Sequence, residues 1–475
     1  MKQANKIKDS IVIFEKKSGR LHVSSKKTSR KFDVSRSLAA IFVASTLFAC
    51  TQEVINEVPA QAENEVEAMT TLPKYRTYEE ALVVAQEAIG MLGESSVTRS
   101  GKPRIVSTDD VQYITNTSST RSDEEPDTLM YVFNYEDNAG FAVVSANRAT
   151  EELIAVTEQG NYVAGEETGN GGFDLYMNMA QEYVRLVKPP LKDSIDNGME
   201  EFTQIRVEYD IDTISYGPYL QVRWGQYWPY NRFCYTTSEQ KAPAGCVATA
   251  IAQIMSYYKN PNSMVINYDG NSETLQLDWN MINGHKYSSI RHDYQSPCSC
   301  SSSYSDVHVN IGKLFRQIGK LVAMNYAVTE SDAHSFNVAL ALFNLGYTYG
   351  EYQNYCVDIV KNSLRQSQLV YMRGEDVVTE KGHAWVIDGF RTLIETYVVY
   401  VKPDSQLFWE ILQEDTSTYQ YCHINWGWDG DSNGYFSAGI FDTQRYTELD
   451  SGMSNEYEYD YERNLKIYPY IRKNI

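Results

Sequence analysis

Between residues 72 and 190, apolar and polar positions follow two simple periods. Ala81, Leu82, Val84, Ala85, Ala88 and Ile89 share one face of a helix, and Thr77 with Glu80 forms the capping box that starts it. Leu129 to Tyr135 and Phe141 to Ala146 read as two strands joined by a turn through Asp137, Asn138 and Gly140. Leu153 to Thr157 supplies a third strand, and Phe173 to Leu186 returns to helical spacing. A helix, a meander and a second helix predict a small α+β unit with no catalytic constellation of its own.

Lys188-Pro189-Pro190 interrupts this pattern, and the charged stretch 191–213 reads as an irregular linker where processing is expected. A second domain is expected over 214–475. Within it Val247, Ile251, Ile254, Met255 and Tyr258 recur at helical spacing until Asn260-Pro261, so a helix starts at or just before Cys246. Tyr397-Val398-Val399-Tyr400-Val401, within 390–421, is strand-like and predicts an extended hairpin. At the other end, residues 1–50 read as an export signal outside the fold: a basic stretch to Arg36, then the short apolar core Ser37 to Ala49. That core is too short to span a bilayer comfortably, although an uncleaved anchor is the alternative. The residues before Cys50 resemble a bacterial lipoprotein processing site, with Cys50 as the lipidated residue. Residues 51–71, polar and acidic, read as a tether.

Composition narrows the classes. A chain of 475 residues favours two or more domains. The net charge of −20 argues against nucleic-acid binding, which needs clustered cations. Of seven cysteines, the six after Cys50 are scattered in a way that fits neither a small disulfide scaffold nor a metal site.

One cysteine stands apart. Gly245-Cys246-Val247-Ala248-Thr249-Ala250 places Cys246 at a helix start, where unpaired N–H groups and the positive dipole end favour a thiolate. Gly382-His383-Ala384 places a histidine at a strand start, suited to stabilise that anion and to protonate a leaving amine. Gly245 and Gly382 leave room for a substrate backbone. Gln226, in Trp224-Gly225-Gln226, is a candidate oxyanion donor beside the Cys246 N–H. Asn425 is a candidate acceptor for the other ring N–H of His383, with Trp426 or Trp428 shielding that bond. His423 shares a strand face with Asn425, which leaves a swapped role open.

Taken in order, Trp224-Gly225-Gln226, Pro229-Tyr230-Asn231 with Cys234, the Cys246 block, Gly382-His383-Ala384 and Asn425-Trp426-Gly427-Trp428 resemble the streptopain family of papain-fold cysteine peptidases. Gly140-Phe141-Ala142-Val143-Val144-Ser145-Ala146 resembles the propeptide of that family. The resemblance implies a two-lobed core, a helical lobe facing an antiparallel barrel-like sheet, preceded by an inhibitory propeptide domain. It implies Cys246 as nucleophile, His383 as acid/base, Gln226 as oxyanion donor, and no metal or organic cofactor. The loop holding Ser331-Asp332-Ala333-His334 corresponds to a substrate-side loop, which makes Ser331, like Trp428, a candidate contact for substrate. The expected activity is endopeptidase action on peptides or proteins, held back by the chain's own propeptide. An inactive surface-binding protein, and a transglutaminase or amidase, are the readings it competes with.

Overall fold

The computed structural model describes residues 5–8, 12–17, 20–25, 74–92, 103–116, 128–187, 202–268, 271–284, 306–375, 382–403, 408–442 and 464–474. Cys50, Cys298, Cys300 and the segments 51–71 and 188–201 lie outside these. Three short strands come first: β1 (Asn5–Lys8), β2 (Val12–Lys17) and β3 (Arg20–Ser25).

The front domain follows its pattern closely. Helix α1 (Tyr78–Ala88) starts at the Thr77–Glu80 capping box and buries Ala81, Val84, Ala85 and Ala88. Four strands follow: β4 (Val106–Thr115), β5 (Thr128–Tyr135), β6 (Phe141–Ser145) and β7 (Leu153–Thr157), each antiparallel to the next. Asp137, Asn138 and Gly140 all take positive φ in the turn before β6, as their residue types permit. Helix α2 (Gly171–Leu186) is capped by the Asn170 side chain, which accepts from the Phe173 N–H. The four strands lie between α1 and α2.

The charged stretch read as an irregular linker is a strand over much of its length. β8 (Phe202–Tyr216) spans 15 residues. Its apolar Ile205, Val207, Tyr209 and Ile211 alternate with Arg206, Glu208, Asp210 and Asp212, a period of two that the density of charge conceals. Strands β1 and β2 pair antiparallel with β8.

In the second domain, α3 (Cys246–Tyr258) is the central helix of the helical lobe, with every residue from Cys246 to Ser256 buried. It packs against α5 (Asp306–Leu321), after the β9–β10 hairpin (Ser263–Tyr268, Asn271–Gln276) and the short α4 (Trp279–Gly284). Helix α6 (Ser335–Asn344), the two-residue strands β11 (Tyr347–Thr348) and β12 (Gln353–Asn354), and α7 (Val357–Arg365) lead to the other lobe. That lobe is an antiparallel sheet of β13 (Leu369–Glu375), β14 (Gly382–Pro403), β15 (Glu410–Asn425), β16 (Gly434–Ser437) and β17 (Lys466–Lys473). Strands β14 and β15 form the extended hairpin, and β8 pairs along the outer half of β14.

The two domains share one sheet. Its order is β11-β17-β13-β14-β15-β16-β7-β6-β5-β4, and the crossing point is the antiparallel pair β16–β7. Helix α2 of the front domain lies on the face of that joint sheet. Phe173 and Tyr176 of α2 share a core with Trp385, Trp426, Phe436 and Phe441 of the second domain. Burying each such aromatic side chain contributes roughly 2–3 kcal/mol, so α2 holds the domains together as well as completing its own. The hairpin also meets the front domain: Tyr419 and Leu393 pack on the α1 core, and Arg391 donates to the Met91 carbonyl.

Candidate active site

Cys246 is the first residue of α3, preceded by Gly245 at φ +91°. A Cβ at Gly245 would lie 2.6 Å from Met324 Cε and 3.3 Å from the Ser331 carbonyl oxygen, so glycine lets the chain turn into the helix with Cys246 foremost. Ser331 is buried and its hydroxyl donates to the Pro243 carbonyl at 2.8 Å. Its side chain braces the approach to α3.

His383 lies on β14, and the next residue on that strand, Ala384, directs its N–H at the Cys246 sulfur. Both candidate side chains are nearly covered, Cys246 at 9% and His383 at 8% exposure. Burial pushes the thiol up to about 11, with the Ala384 N–H opposing it and Glu330 adding to it. Burial pushes the imidazole down to about 4, only partly offset by its bond to Trp426. Here desolvation outweighs the helix dipole, and at neutral pH the proton stays on sulfur.

His383 Nε2 lies 3.2 Å from the Trp426 carbonyl oxygen. A carbonyl only accepts, so Nε2 carries the proton and Nδ1 presents a lone pair. Asn425, a candidate for that acceptor beside Trp426 and Trp428, is otherwise engaged. Its Nδ2 donates to the Val222 carbonyl at 2.8 Å, and its Oδ1 accepts from Gln253 Nε2 at 2.8 Å and from the Gly427 N–H at 3.1 Å. The correction has a geometric cause. On alternating β15 the Asn425 side chain points away from the His383 ring, and the adjacent backbone carbonyl takes the role. Trp426 is fully buried, its indole N–H donating to the Ser432 carbonyl at 3.0 Å and its ring 5.1 Å from Trp385. Trp428 stands edge-on to His383 at 6.4 Å.

Gln226 belongs to a loop stitched to α3. Its carbonyl accepts from the Ala244 N–H at 2.8 Å, and Thr249 Oγ1 reaches the Gly225 carbonyl at 3.4 Å. This puts the loop beside the start of α3. Gly382 opens β14 opposite Glu375, where a Cβ would lie 3.0 Å from Arg373 Nη2. Among the described residues, no group of three or more His, Cys, Asp or Glu converges as a metal cage would. Cys234, Cys356 and Cys422 are free thiols.

Two features escaped the sequence reading. The first is the tip of α2, where Gly169-Asn170-Gly171-Gly172 of the front domain reaches His383. A Cβ at Gly171 would lie 4.0 Å from His383 Nδ1; one at Gly172 would lie 2.6 Å from His383 Cδ2 and 2.8 Å from Trp426 Cε3. The front domain's backbone therefore occupies the space before the imidazole. The tip is fixed by the Asn170 cap and by Thr168, whose hydroxyl donates to Asp174 at 2.8 Å. The glycine cluster was its signal, but it reads equally well as a turn.

The second is a buried charge chain across the domain boundary. His423 Nδ1 is 2.6 Å from Asp388 Oδ1, and its Nε2 is 3.3 Å from Glu158 Oε1 of the front domain. Arg223 pairs with the same Glu158 and donates to Gln159 at 3.0 Å. Burial alone would lower His423, yet Asp388 and then Glu158 push it up to about 9. The folded value exceeds the ordinary one, so the contribution of His423 is complete below its ordinary value of 6.5. It is lost as pH rises through about 9. Further along β14, Glu395 is pushed up to about 7, by burial first and then by Glu152 of the front domain. Its contribution is likewise largest in acid and is lost as pH rises through about 7.

The chain resembles proteins of known class in both parts. Residues 224–436 match the Peptidase C10 family, and residues 71–184 match the Spi protease inhibitor family. Streptopain of Streptococcus pyogenes is 28% identical over 334 residues, covering 65% of this chain and 73% of that protein. The thiol protease/hemagglutinin PrtT of Porphyromonas gingivalis is 25% identical over 354 residues, covering 68% of this chain and 36% of that protein. A structure of a Prevotella intermedia prointerpain A fragment is 22% identical with a TM-score of 0.46, covering 77% of this chain and 99% of that one.

Proposed function

We propose that the chain is an exported cysteine endopeptidase of the streptopain-like C10 family, held latent by its Spi-type inhibitor domain. The single observation carrying the latent part is the seating of Gly171 and Gly172 against His383. In that arrangement the imidazole is dry and neutral and the thiol keeps its proton. Removal of the front domain returns water to both groups, and the proton can then pass from Cys246 Sγ to His383 Nδ1.

The resulting thiolate attacks the carbonyl carbon of the scissile peptide bond. The oxyanion forms where the Cys246 N–H and the Gln226 amide would donate, and His383 gives its proton to the leaving amine. A water, deprotonated by His383, then hydrolyses the thioester and restores the thiol. Trp426 contributes its carbonyl, which holds the ring tautomer, and its indole, which keeps water from that bond. Gly382, Gly245 and Trp428 would line the substrate path. Cleavage that frees the core falls within 188–201, between α2 and β8. Export and attachment through a lipid on Cys50 at the outer membrane or cell surface complete the proposal.

Activity on an unfolded protein should require reducing conditions, yield new peptide amino termini, and vanish on treatment with a thiol-blocking reagent. Ammonia release without new termini would favour an amidase, and activity surviving the thiol block would exclude Cys246 as the nucleophile.

A further inference from the structure

Helix α3 carries more than the nucleophile on the face that meets the active-site loops. Cys246, Thr249 and Gln253 are spaced three and then four residues apart, so they stack along one side of the helix. Thr249 reaches the carbonyl of Gly225, and its methyl group lies where a Cβ at Gly427 would approach to 2.9 Å. Gln253, wholly buried, donates through Nε2 to Asn425 Oδ1 at 2.8 Å and lies 3.4 Å from the Trp224 carbonyl.

The direction of the Gln253–Asn425 bond is fixed from outside the pair. Asn425 Nδ2 faces the Val222 carbonyl, which only accepts, and its Oδ1 faces the Gly427 N–H, which only donates. Gln253 must therefore present an N–H, and its Oε1 has no hydrogen-bond partner among the described residues. A buried amide with one end unpaired is costly, so its retained bond joins groups that would otherwise separate. Those groups are the 222–226 loop, which carries Gln226, and the 425–427 turn, whose Trp426 carbonyl accepts from His383.

We propose that Gln253 is a positioning residue for peptide hydrolysis: through Asn425 it holds the acceptor of His383 and the loop of Gln226 in register with Cys246. This rests on the catalytic reading above, and it assigns the alignment of the two lobes to one buried side-chain pair.

The test uses the full chain, matured in reducing buffer, with rates expressed per titrated Cys246 thiol. Gln253→Met fills similar volume without a donor. It should lower kcat about 10- to 100-fold, the scale of a small misplacement of reacting groups, with KM within about threefold of the parent. Gln253→Glu supplies an internal control. Protonated, it can donate to Asn425 Oδ1; ionised, it repels that oxygen, so its activity relative to the parent should rise about fivefold or more from pH 8 to pH 5. A Met variant with the parent's kcat, or a Glu variant whose ratio to the parent is flat with pH, overturns the proposal. Should the Met variant fail to fold, the Glu ratio decides. The Cys246→Ala chain separates the two levels: if it is inactive while Gln253→Met is fully active, only the positioning role falls, and if it is active, the catalytic reading falls first.

Discussion

The Cys246→Ala chain is expected to show no measurable peptide hydrolysis, a loss of at least about 10⁴-fold, and to remain uncut under conditions in which the parent processes itself. Removal of a covalent nucleophile abolishes the thioester route, and what remains is the small acceleration given by binding and the oxyanion donors. The change deletes one sulfur atom from a site that is already covered, so its cost in stability is about 1 kcal/mol and unfolding does not explain the loss. Intact mass of both chains after incubation with reductant reads the result. The parent should lose a fragment ending within 188–201, and the variant should keep its full mass. Cleavage of both chains at one site would assign maturation to another protease.

Gly172→Ala should have the opposite effect. A methyl group there would lie 2.6 Å from His383 Cδ2 and 2.8 Å from the Trp426 ring, too close for the α2 tip to stay seated. The same substitution suits the helix itself, since alanine is favoured over glycine by up to about 1 kcal/mol within a helix. The front domain should thus stay folded while losing its hold on the imidazole. In the full chain at neutral pH, alkylation of Cys246 should accelerate by about tenfold or more, for an undocking cost of about 1.4 kcal/mol or more, and the lag before activity should shorten. An unchanged alkylation rate would mean that the tip does not restrain His383.

Local pattern made much of the fold legible, and long-range pairing accounts for what was not. The Thr77–Glu80 capping box, the Asp137–Gly140 turn and the start of α3 at Cys246 each depend on residues within a few positions, so the chain declares them. Strand β8 was hidden because Arg206, Glu208, Asp210 and Asp212 resemble a solvated linker until β14 lies beside them. The continuous sheet depends on β7 meeting β16, nearly 280 residues later, which no window of sequence contains. At the site, the side-chain amide of Asn425 made it a candidate partner of His383, whereas the structure gives that place to a backbone carbonyl, which has no sequence signature. His423 drew notice only as a possible substitute for Asn425. Its bonds to Asp388 and to Glu158 place it in a charge chain that clamps the two domains together.

Latency through an un-ionised Cys246–His383 pair is tested most directly by the pH dependence of Cys246 alkylation, measured on the intact chain and again after the front domain has been removed. The burial-raised thiol predicts that the intact chain reacts appreciably only as pH climbs toward about 11. The freed core, with His383 rehydrated and able to take the proton, should reach its full rate below neutral pH. Identical profiles before and after removal would contradict the role given to the front domain, whatever the chain's peptidase activity proves to be.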